Sequence, residues 1–225
     1  MRSLTETNPP PAFFEFMQPK YTNLIRFIAV IIIAGWAITR IFWMRHENSS
    51  EPGKQLNQPS QSTYDLDGNA VDPLANSTGR CVVLIFIKTD CPISNRYAPE
   101  IRRLHDDYAA RGMTVWVVYP DAESSDKELL KHQLEFQLPS RALRDPAQKL
   151  VALSQAKVTP EAAVFIPGKG LVYHGRIDNR HVDFGSSRPE ATENTLRQVL
   201  GQIDKGEQVT IASTRAVGCY IAPIR

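Results

Sequence analysis

Two apolar runs separated by an amphipathic segment constrain the fold of this chain most strongly. Residues 81–87 read CVVLIFI, a continuous run rich in β-branched residues, as expected of a strand buried on both faces of a sheet. Residues 114–119, TVWVVY, predict the next strand. The segment between them predicts a helix, because its apolar residues recur at helical spacing: Tyr97, Ile101, Leu104 and Tyr108. Strand, helix and strand at this length indicate a right-handed βαβ unit and an α/β fold.

Turn and capping signals predict the elements on either side of this unit. Residues 62–74 indicate two short strands around a turn at residues 67–69. Residues 125–128, SDKE, match a capping box and predict a second helix. Asp145 followed by Pro146 predicts the N-cap and the first residue of a third helix.

The last third of the chain predicts an antiparallel hairpin and a final helix. Residues 162–167 and 171–177 flank the turn at residues 168–170 and read as the two hairpin strands. Pro189 is expected to open the final helix and Gly206 to end it. The predicted fold is therefore α/β, with a central mixed sheet flanked by helices.

An apolar segment near the N-terminus predicts a single membrane-spanning helix. Residues 24–44 reach about the twenty residues that a bilayer requires, and Arg26 and Arg40 can extend toward the headgroups. A buried core helix is a poor alternative because the segment is apolar on all sides. A cleaved signal peptide is a stronger alternative because the uncharged centre is short, although no Ala-x-Ala site follows it. We therefore expect an uncleaved anchor at residues 23–44.

The anchor divides the chain into four predicted parts. A disordered tail at residues 1–22 precedes it, a flexible polar linker follows at residues 45–62, and the folded domain occupies residues 63–221. Basic residues lie on both sides of the anchor, so charge does not fix its orientation. The 26 basic residues nearly balance the 24 acidic ones without a large basic patch, so we expect no nucleic-acid partner.

Three cysteines, Cys81, Cys91 and Cys219, are too few and too scattered for a disulfide scaffold or a zinc module. They permit one disulfide with one thiol left over. Cys81 begins the first buried strand and is expected to act as a small buried hydrophobe.

Cys91 lies where a reactive thiol is expected. It follows a buried strand and precedes Pro92, which suits the first helical position, so Cys91 is the predicted N-cap. A helix N-terminus stabilises a thiolate and lowers the cysteine pKa. Lys88 and Arg96 would add to this effect, and Asp90 would oppose it. The competing interpretation is an inert cysteine at a tight turn.

The chain resembles the thioredoxin superfamily, in particular its redoxin or AhpC/TSA-like branch of membrane-anchored bacterial proteins. The resemblance covers about residues 63–221. It rests on the apolar strand, on Cys-Pro-x-x at the next helix, on Pro99 within that helix, and on the sequences VTPEAAVF and YHGRIDN. It implies a thioredoxin-like fold in which Pro160, preceded by Thr159, is cis and faces the redox cysteine. It implies no bound cofactor.

Two departures from the family pattern matter. Where a dithiol motif has its second cysteine this chain has Ser94, so the motif cannot release a mixed disulfide on its own. Peroxiredoxins carry Thr-x-x-Cys, whereas here Lys88 stands three residues before Cys91 and Thr89 is one place away. Aligning Pro99 with the family's helix proline also puts Ser94 at the peroxidatic position.

The C-terminal sequence TRAVGCYIAPIR contains the remaining cysteine. One interpretation of Cys219 is a loose tail cysteine. The other comes from the resemblance, because similar redoxin-like chains end in a comparable Gly-Cys tail. The tail would then fold back to Cys91, and Cys219 would supply the thiol that Ser94 cannot.

A copper site is a further alternative, since copper-delivery proteins of the same fold use two nearby cysteines and a distant histidine. Asn95 occupies the second cysteine position here. A soft Cu(I) site could still combine the two remaining thiols with a histidine. Its candidate ligands are Cys91, Cys219, His174 and His181. Two histidines in predicted helices are expected to face solvent, His105 and His132.

The sequence therefore predicts a membrane-tethered thiol-disulfide oxidoreductase whose domain lies on the periplasmic side, where disulfides persist. Cys91 is expected to attack a protein or small-molecule disulfide, Pro160 to shape the partner groove, and Cys219 to resolve the mixed disulfide. The supporting residues are Thr89, Pro92, Ser94, Thr159 and Arg96. The alternatives are a thiol-dependent peroxidase, in which Cys91 becomes a sulfenic acid, and a Cu(I) or assembly chaperone.

Overall fold

A computed structural model gives the structure of residues 63–224, apart from residues 76 and 78. The predicted tail, membrane helix and linker at residues 1–62 lie outside the described residues. Among the helices of the described part, none is both long enough and apolar enough to cross a membrane.

The α/β architecture is confirmed, with strands and helices that alternate as the βαβ pattern predicts. The strands are β1 Tyr64–Asp65, β2 Cys81–Phe86, β3 Met113–Tyr119, β4 Ala142–Arg144, β5 Val158–Thr159, β6 Glu161–Ile166, β7 Gly170–Gly175, β8 His181–Asp183, β9 Ser186–Ser187 and β10 Cys219–Tyr220. The helices are α1 Pro92–Ala109, α2 Asp126–Glu135, α3 Lys149–Ser154 and α4 Thr195–Asp204.

Six strands form a mixed central sheet in the order β1-β4-β3-β2-β6-β7. Strands β2, β3 and β4 run parallel, whereas β1, β6 and β7 are antiparallel to their neighbours. Every residue of β2 is buried, and successive side chains face two different apolar clusters. Helices α1, α2 and α4 pack into one cluster and α3 into the other. The alternation explains why β2 is apolar without interruption.

Helix α3 begins at Lys149, so the prediction of a helix from Pro146 is wrong. The Asp145 carboxylate does accept backbone hydrogen bonds, from Lys149 N at 2.9 Å and Val151 N at 3.0 Å. However, Gln148 has a φ of 50°, in the left-handed region, and interrupts the helical path. Asp145 thus anchors a turn before the helix.

The last helix begins at Thr195, so the predicted start at Pro189 is also wrong. The hairpin β8–β9 and a loop occupy the preceding segment. The Asn179 carboxamide oxygen accepts hydrogen bonds from Thr192 N at 2.9 Å and Glu193 N at 3.0 Å, which fix this loop. The predicted end at Gly206 is confirmed, because that residue has a left-handed φ just after the helix.

His132 is buried, so the prediction that it faces solvent is wrong. Its two ring nitrogens lie 2.9 Å from the Tyr119 hydroxyl and 2.9 Å from the Asn95 carboxamide oxygen. These partners satisfy the ring inside the protein, and burial lowers the His132 pKa, which favours the neutral form. His105 is half-buried.

Candidate functional site

Cys91 is the N-cap of α1, as predicted, with Pro92 at the first helical position. Its side chain has 0% exposure. The Ser94 backbone N–H donates to the Cys91 sulfur at 3.5 Å, and the Asn95 backbone N–H donates to the Cys91 carbonyl at 3.0 Å. The helix N-terminus therefore directs the backbone N–H of Ser94 at this thiol.

Ser94 occupies the place of the missing second cysteine and is buried beside Cys91. Its hydroxyl hydrogen-bonds to the Cys91 sulfur and accepts from the Lys88 backbone N–H at 3.5 Å. The Asn95 side chain donates to the Thr89 carbonyl at 3.1 Å, which ties the loop before Cys91 to the helix. Ser94 thus supports a thiolate rather than replacing a thiol.

Thr159 and Pro160 face Cys91 from the other side of the site. The Thr159–Pro160 peptide bond is cis, as the resemblance implied. In the thiol form, Cys91 Sγ donates a hydrogen bond to the Thr159 carbonyl at 3.0 Å. Thr159 belongs to the two-residue strand β5, so the position of this strand determines the surroundings of Cys91.

The C-terminal tail folds back onto β5. Strand β10 pairs antiparallel with β5, with Cys219 opposite Thr159, and Ile221 N donates to the Lys157 carbonyl at 3.0 Å. Gly218 lies so close to β5 that an added Cβ would sit 2.1 Å from the Thr159 carbonyl oxygen. Only glycine allows this approach.

A second set of contacts holds the tail before it reaches β5. His174 N donates to the Ala212 carbonyl, and Thr214 N donates to the His174 carbonyl, both at 3.1 Å. The hydroxyls of Tyr173 and Thr214 are 2.7 Å apart. The tail is therefore fixed to β7 as well as to β5.

The folded-back tail brings Cys219 close enough to Cys91 for each thiol to act on the pKa of the other, and no disulfide joins them in this structure. Burial alone would raise the pKa of Cys91, but hydrogen bonds from the Cys219 side chain, from Ser94 and from the Cys219 backbone outweigh burial and lower it. Burial and the donation to Cys91 raise the pKa of Cys219 to about 12. Of the two thiols, Cys91 is thus the one that ionises first, and Cys219 donates a hydrogen bond to the resulting thiolate.

The two thiols differ in their access to solvent. Cys91 is fully buried, whereas Cys219 is only partly buried and Tyr220 after it is exposed. Lys88, paired with Asp90 at 3.0 Å, lies close enough for its charge to act on Cys219. A cavity of about 440 Å³ adjoins this side of the tail, and its lining includes Lys88, Thr159 and residues 221–224.

Cys81 is the third free cysteine, and its surroundings fit the predicted role of a small core residue. It has 0% exposure at the start of β2, and burial raises its pKa to about 12. Its thiol therefore stays protonated when Cys91 ionises.

Arg96 and His181, two other predicted site residues, lie together but in a separate cavity of about 360 Å³ that neither Cys91 nor Cys219 lines. The His181 ring packs against Tyr97, with 5.5 Å between ring centroids. Burial and the charge of Arg96 lower the His181 pKa. The structure therefore does not support a direct role for Arg96 at the thiol pair.

The alternative copper ligands are not assembled around one point. His174 Nδ1 lies 3.6 Å from a Glu161 carboxylate oxygen, and His181 lies in the separate cavity. Across residues 63–224 other than 76 and 78, no three His, Cys, Asp or Glu side chains are placed to hold a metal ion. The two sulfurs remain a pair without a histidine partner.

Glu161 is a residue of this site that sequence reasoning missed. It is buried directly after Pro160, and its carboxylate accepts from Lys157 N at 2.7 Å and Val158 N at 3.2 Å. These bonds hold β5, the strand that contacts both cysteines. The available signal was a glutamate at the start of an otherwise apolar strand sequence, EAAVFI.

The fold and the site define a thioredoxin-like protein in which a cis-proline loop faces a cysteine at a helix N-terminus. Residues 53–174 match the AhpC/TSA family. The chain therefore belongs to the AhpC/TSA family. No curated protein matches the chain.

Three solved bacterial structures illustrate what the chain is similar to. An uncharacterised conserved protein from Geobacillus kaustophilus is 24% identical with a TM-score of 0.61, and the alignment covers 73% of this chain and 88% of that one. A hypothetical protein from Sinorhizobium meliloti is 21% identical with a TM-score of 0.60, covering 72% and 89%. A secreted Mycobacterium tuberculosis disulfide oxidoreductase homologous to E. coli DsbE is 16% identical with a TM-score of 0.46, covering 64% and 96%.

Replacing Cys219 tests the origin of the low Cys91 pKa. Cys219→Ala removes the largest of the hydrogen bonds that lower this pKa. The effect of burial is then less offset, and the Cys91 pKa rises. Thiolate absorbance measured against pH should then appear at higher pH than in the wild type. Cys219→Ser keeps a hydroxyl donor and should shift the titration less. An unchanged titration in Cys219→Ala would contradict the role of Cys219 as donor.

Proposed function

We propose that the protein is a thiol-disulfide oxidoreductase in which Cys91 and Cys219 alternate between a dithiol and a disulfide. The observation that carries this proposal is that Thr159, beside the cis Pro160, contacts the Cys91 sulfur at 3.0 Å and pairs with Cys219, so that the two thiols are near enough to act on each other's pKa. In one turnover the dithiol gives two electrons and two protons to a partner disulfide and becomes the Cys91–Cys219 disulfide. The partner is a protein or a small molecule that carries a thiol or disulfide.

The surroundings of Cys91 suit such exchange. Exchange requires a thiolate, and the lowered pKa of Cys91 supplies one nearer to neutral pH than an ordinary cysteine does. Ser94 cannot resolve a mixed disulfide, so a second thiol is needed. Cys219 fills this requirement from the opposite end of the chain.

The two thiols can share this work in more than one order. The sequence predicts that Cys91 attacks the partner, with Thr159 and Pro160 shaping the groove, and that Cys219 resolves the mixed disulfide. This order requires β10 to leave Cys91 at each encounter, because Cys91 has no exposed surface while β10 is paired.

A second candidate function is a thiol-dependent peroxidase, which membership of the AhpC/TSA family favours. Peroxide would oxidise the Cys91 thiolate to a sulfenic acid with release of an alcohol or water. Cys219 would then condense with the sulfenic acid to give the disulfide and water. Lys88 stands where peroxiredoxins carry threonine, so we rank disulfide exchange first.

Membrane attachment belongs to the proposal as well. Residues 24–44 have the length and apolar character of a span, and stable disulfides favour an extracytoplasmic side. The full chain should therefore stay in the membrane pellet after alkaline extraction. A chain that lacks residues 1–56 should be released into the soluble fraction. Release of the full chain would contradict the anchor.

Peptide mapping under non-reducing conditions tests the redox pair. The oxidised wild type should contain a Cys91–Cys219 disulfide, and reduction of a disulfide substrate by the protein should be lost in both Cys91→Ala and Cys219→Ala. Cys81→Ala is the matched control and should retain turnover. A disulfide that joins Cys91 to Cys81, or full turnover in Cys219→Ala, would refute the pair. Peroxide consumption that outpaces disulfide reduction would favour the peroxidase.

A further inference from the structure

We propose that Cys219, rather than Cys91, is the cysteine that forms the disulfide bond with the partner. Cys91 is then the buried sulfur that is displaced from the disulfide as a thiolate when the partner bonds to Cys219. In the opposite direction it attacks Cys219 and releases the partner. This inference rests on the proposed redox pair and assigns the order of events within it.

Access to the two sulfurs is the first argument. Cys91 has 0% exposure, and its sulfur contacts the Thr159 carbonyl oxygen and the Ser94 backbone N–H. Cys219 is only partly buried, on the outer strand of the two-stranded β5–β10 ribbon. A partner can therefore reach Cys219 without displacing the tail.

The geometry of disulfide exchange gives the second argument. An incoming thiolate attacks one sulfur along the line of the bond that breaks, so it must approach from the side opposite the leaving sulfur. Attack on Cys91 would have to come from the interior, past Thr159 and Ser94. Attack on Cys219 comes from the side away from Cys91, and of the two residues only Cys219 has exposed surface.

The pKa effects and charges around the two thiols also favour attack at Cys219 with Cys91 as the leaving group. A Cys219 side chain bonded to a partner no longer donates to Cys91, but the hydrogen bonds from Ser94 remain and favour the Cys91 thiolate as a leaving group. Lys88 lies near Cys219 and attracts an incoming thiolate, although its partner Asp90 offsets part of this attraction.

The steps balance in both directions. In the oxidised protein, a partner thiolate attacks Cys219 Sγ, a new sulfur–sulfur bond forms, the Cys91–Cys219 bond breaks, and its electron pair stays on Cys91. A second partner thiolate then attacks the partner sulfur in the mixed disulfide, and Cys219 leaves and takes a proton. The partner is oxidised to a disulfide and the protein is reduced to a dithiol. In reverse, Cys91 takes the proton of Cys219 as Cys219 attacks a partner disulfide, the partner sulfur–sulfur bond breaks, and one partner sulfur leaves as a thiolate. Cys91 passes the proton to that thiolate and then attacks Cys219 Sγ, which re-forms the Cys91–Cys219 disulfide and releases the second partner thiolate.

Glutathione serves as the probe of this assignment. The oxidised full-length protein is mixed briefly with limiting reduced glutathione, quenched in acid, alkylated, and mapped by peptide mass. We expect glutathione on the Cys219 peptide and the alkyl group on the Cys91 peptide. Glutathione on Cys91 in an equal or larger amount would overturn the assignment.

Single-cysteine variants provide an independent readout with oxidised glutathione. Cys91→Ala should form a mixed disulfide at Cys219, and Cys219→Ala should form one at Cys91 about tenfold more slowly, because β10 still covers that sulfur. Faster modification of Cys91 would also overturn the assignment. Absence of any Cys91–Cys219 disulfide in the oxidised wild type would remove the proposed function itself, whereas a disulfide that opens at Cys91 removes only this inference.

Discussion

The pairing of β10 with β5 is the interaction on which the rest of the site depends. It is a ribbon of only two residues on each side, extended by the bond between Ile221 and Lys157. The same pairing covers Cys91, brings Cys219 to it and fixes the Thr159 carbonyl against the Cys91 sulfur. Each half of the ribbon is held independently, β5 by the buried Glu161 and the tail by its contacts with β7.

The pairing of β10 with β5 sets the pKa of Cys91, on which two opposing effects act. Burial disfavours a thiolate, and a helix N-terminus with Ser94 favours it. The side chain of Cys219 supplies the largest of the opposing hydrogen bonds, and the net effect is a lowered Cys91 pKa. A partner that occupies Cys219 removes this hydrogen bond, so binding and ionisation of Cys91 are coupled.

Much of this organisation could be predicted from the sequence, because it depends on local patterns. The alternation of apolar runs gave the βαβ unit, and Cys91-Pro92 gave the N-cap, since both are short-range signals. The start of α3 could not be predicted, because the left-handed φ of Gln148 leaves no clear signal in the sequence. The start of α4 could not be predicted, because Asn179 fixes the preceding loop through bonds to residues 192 and 193, which are distant in sequence. The same holds for His132, whose buried position depends on Tyr119 and Asn95.

The relation between the thiols was only partly predictable. The resemblance to redoxin-like chains with a Gly-Cys tail suggested that Cys219 reaches Cys91. The exposure of each sulfur could not be inferred, because it depends on which strand of the β5–β10 ribbon lies outside. The predicted roles therefore followed family precedent, with the helix cysteine Cys91 as the attacking thiol and Cys219 as the resolving thiol. Here the helix cysteine lies beneath the tail.

Substitution of Gly218 tests the central claim, that close seating of the tail on β5 creates the site. In Gly218→Ala the added Cβ would meet the Thr159 carbonyl oxygen at 2.1 Å, and such overpacking costs about 1–3 kcal/mol. Since each 1.4 kcal/mol is about tenfold in population, this cost should accelerate alkylation of Cys91 in the reduced protein by about fivefold to about 140-fold. Gly201→Ala, where a Cβ meets nothing within 4 Å, is the matched control and should leave the rate unchanged. Equal alkylation rates in Gly218→Ala and wild type would contradict the account.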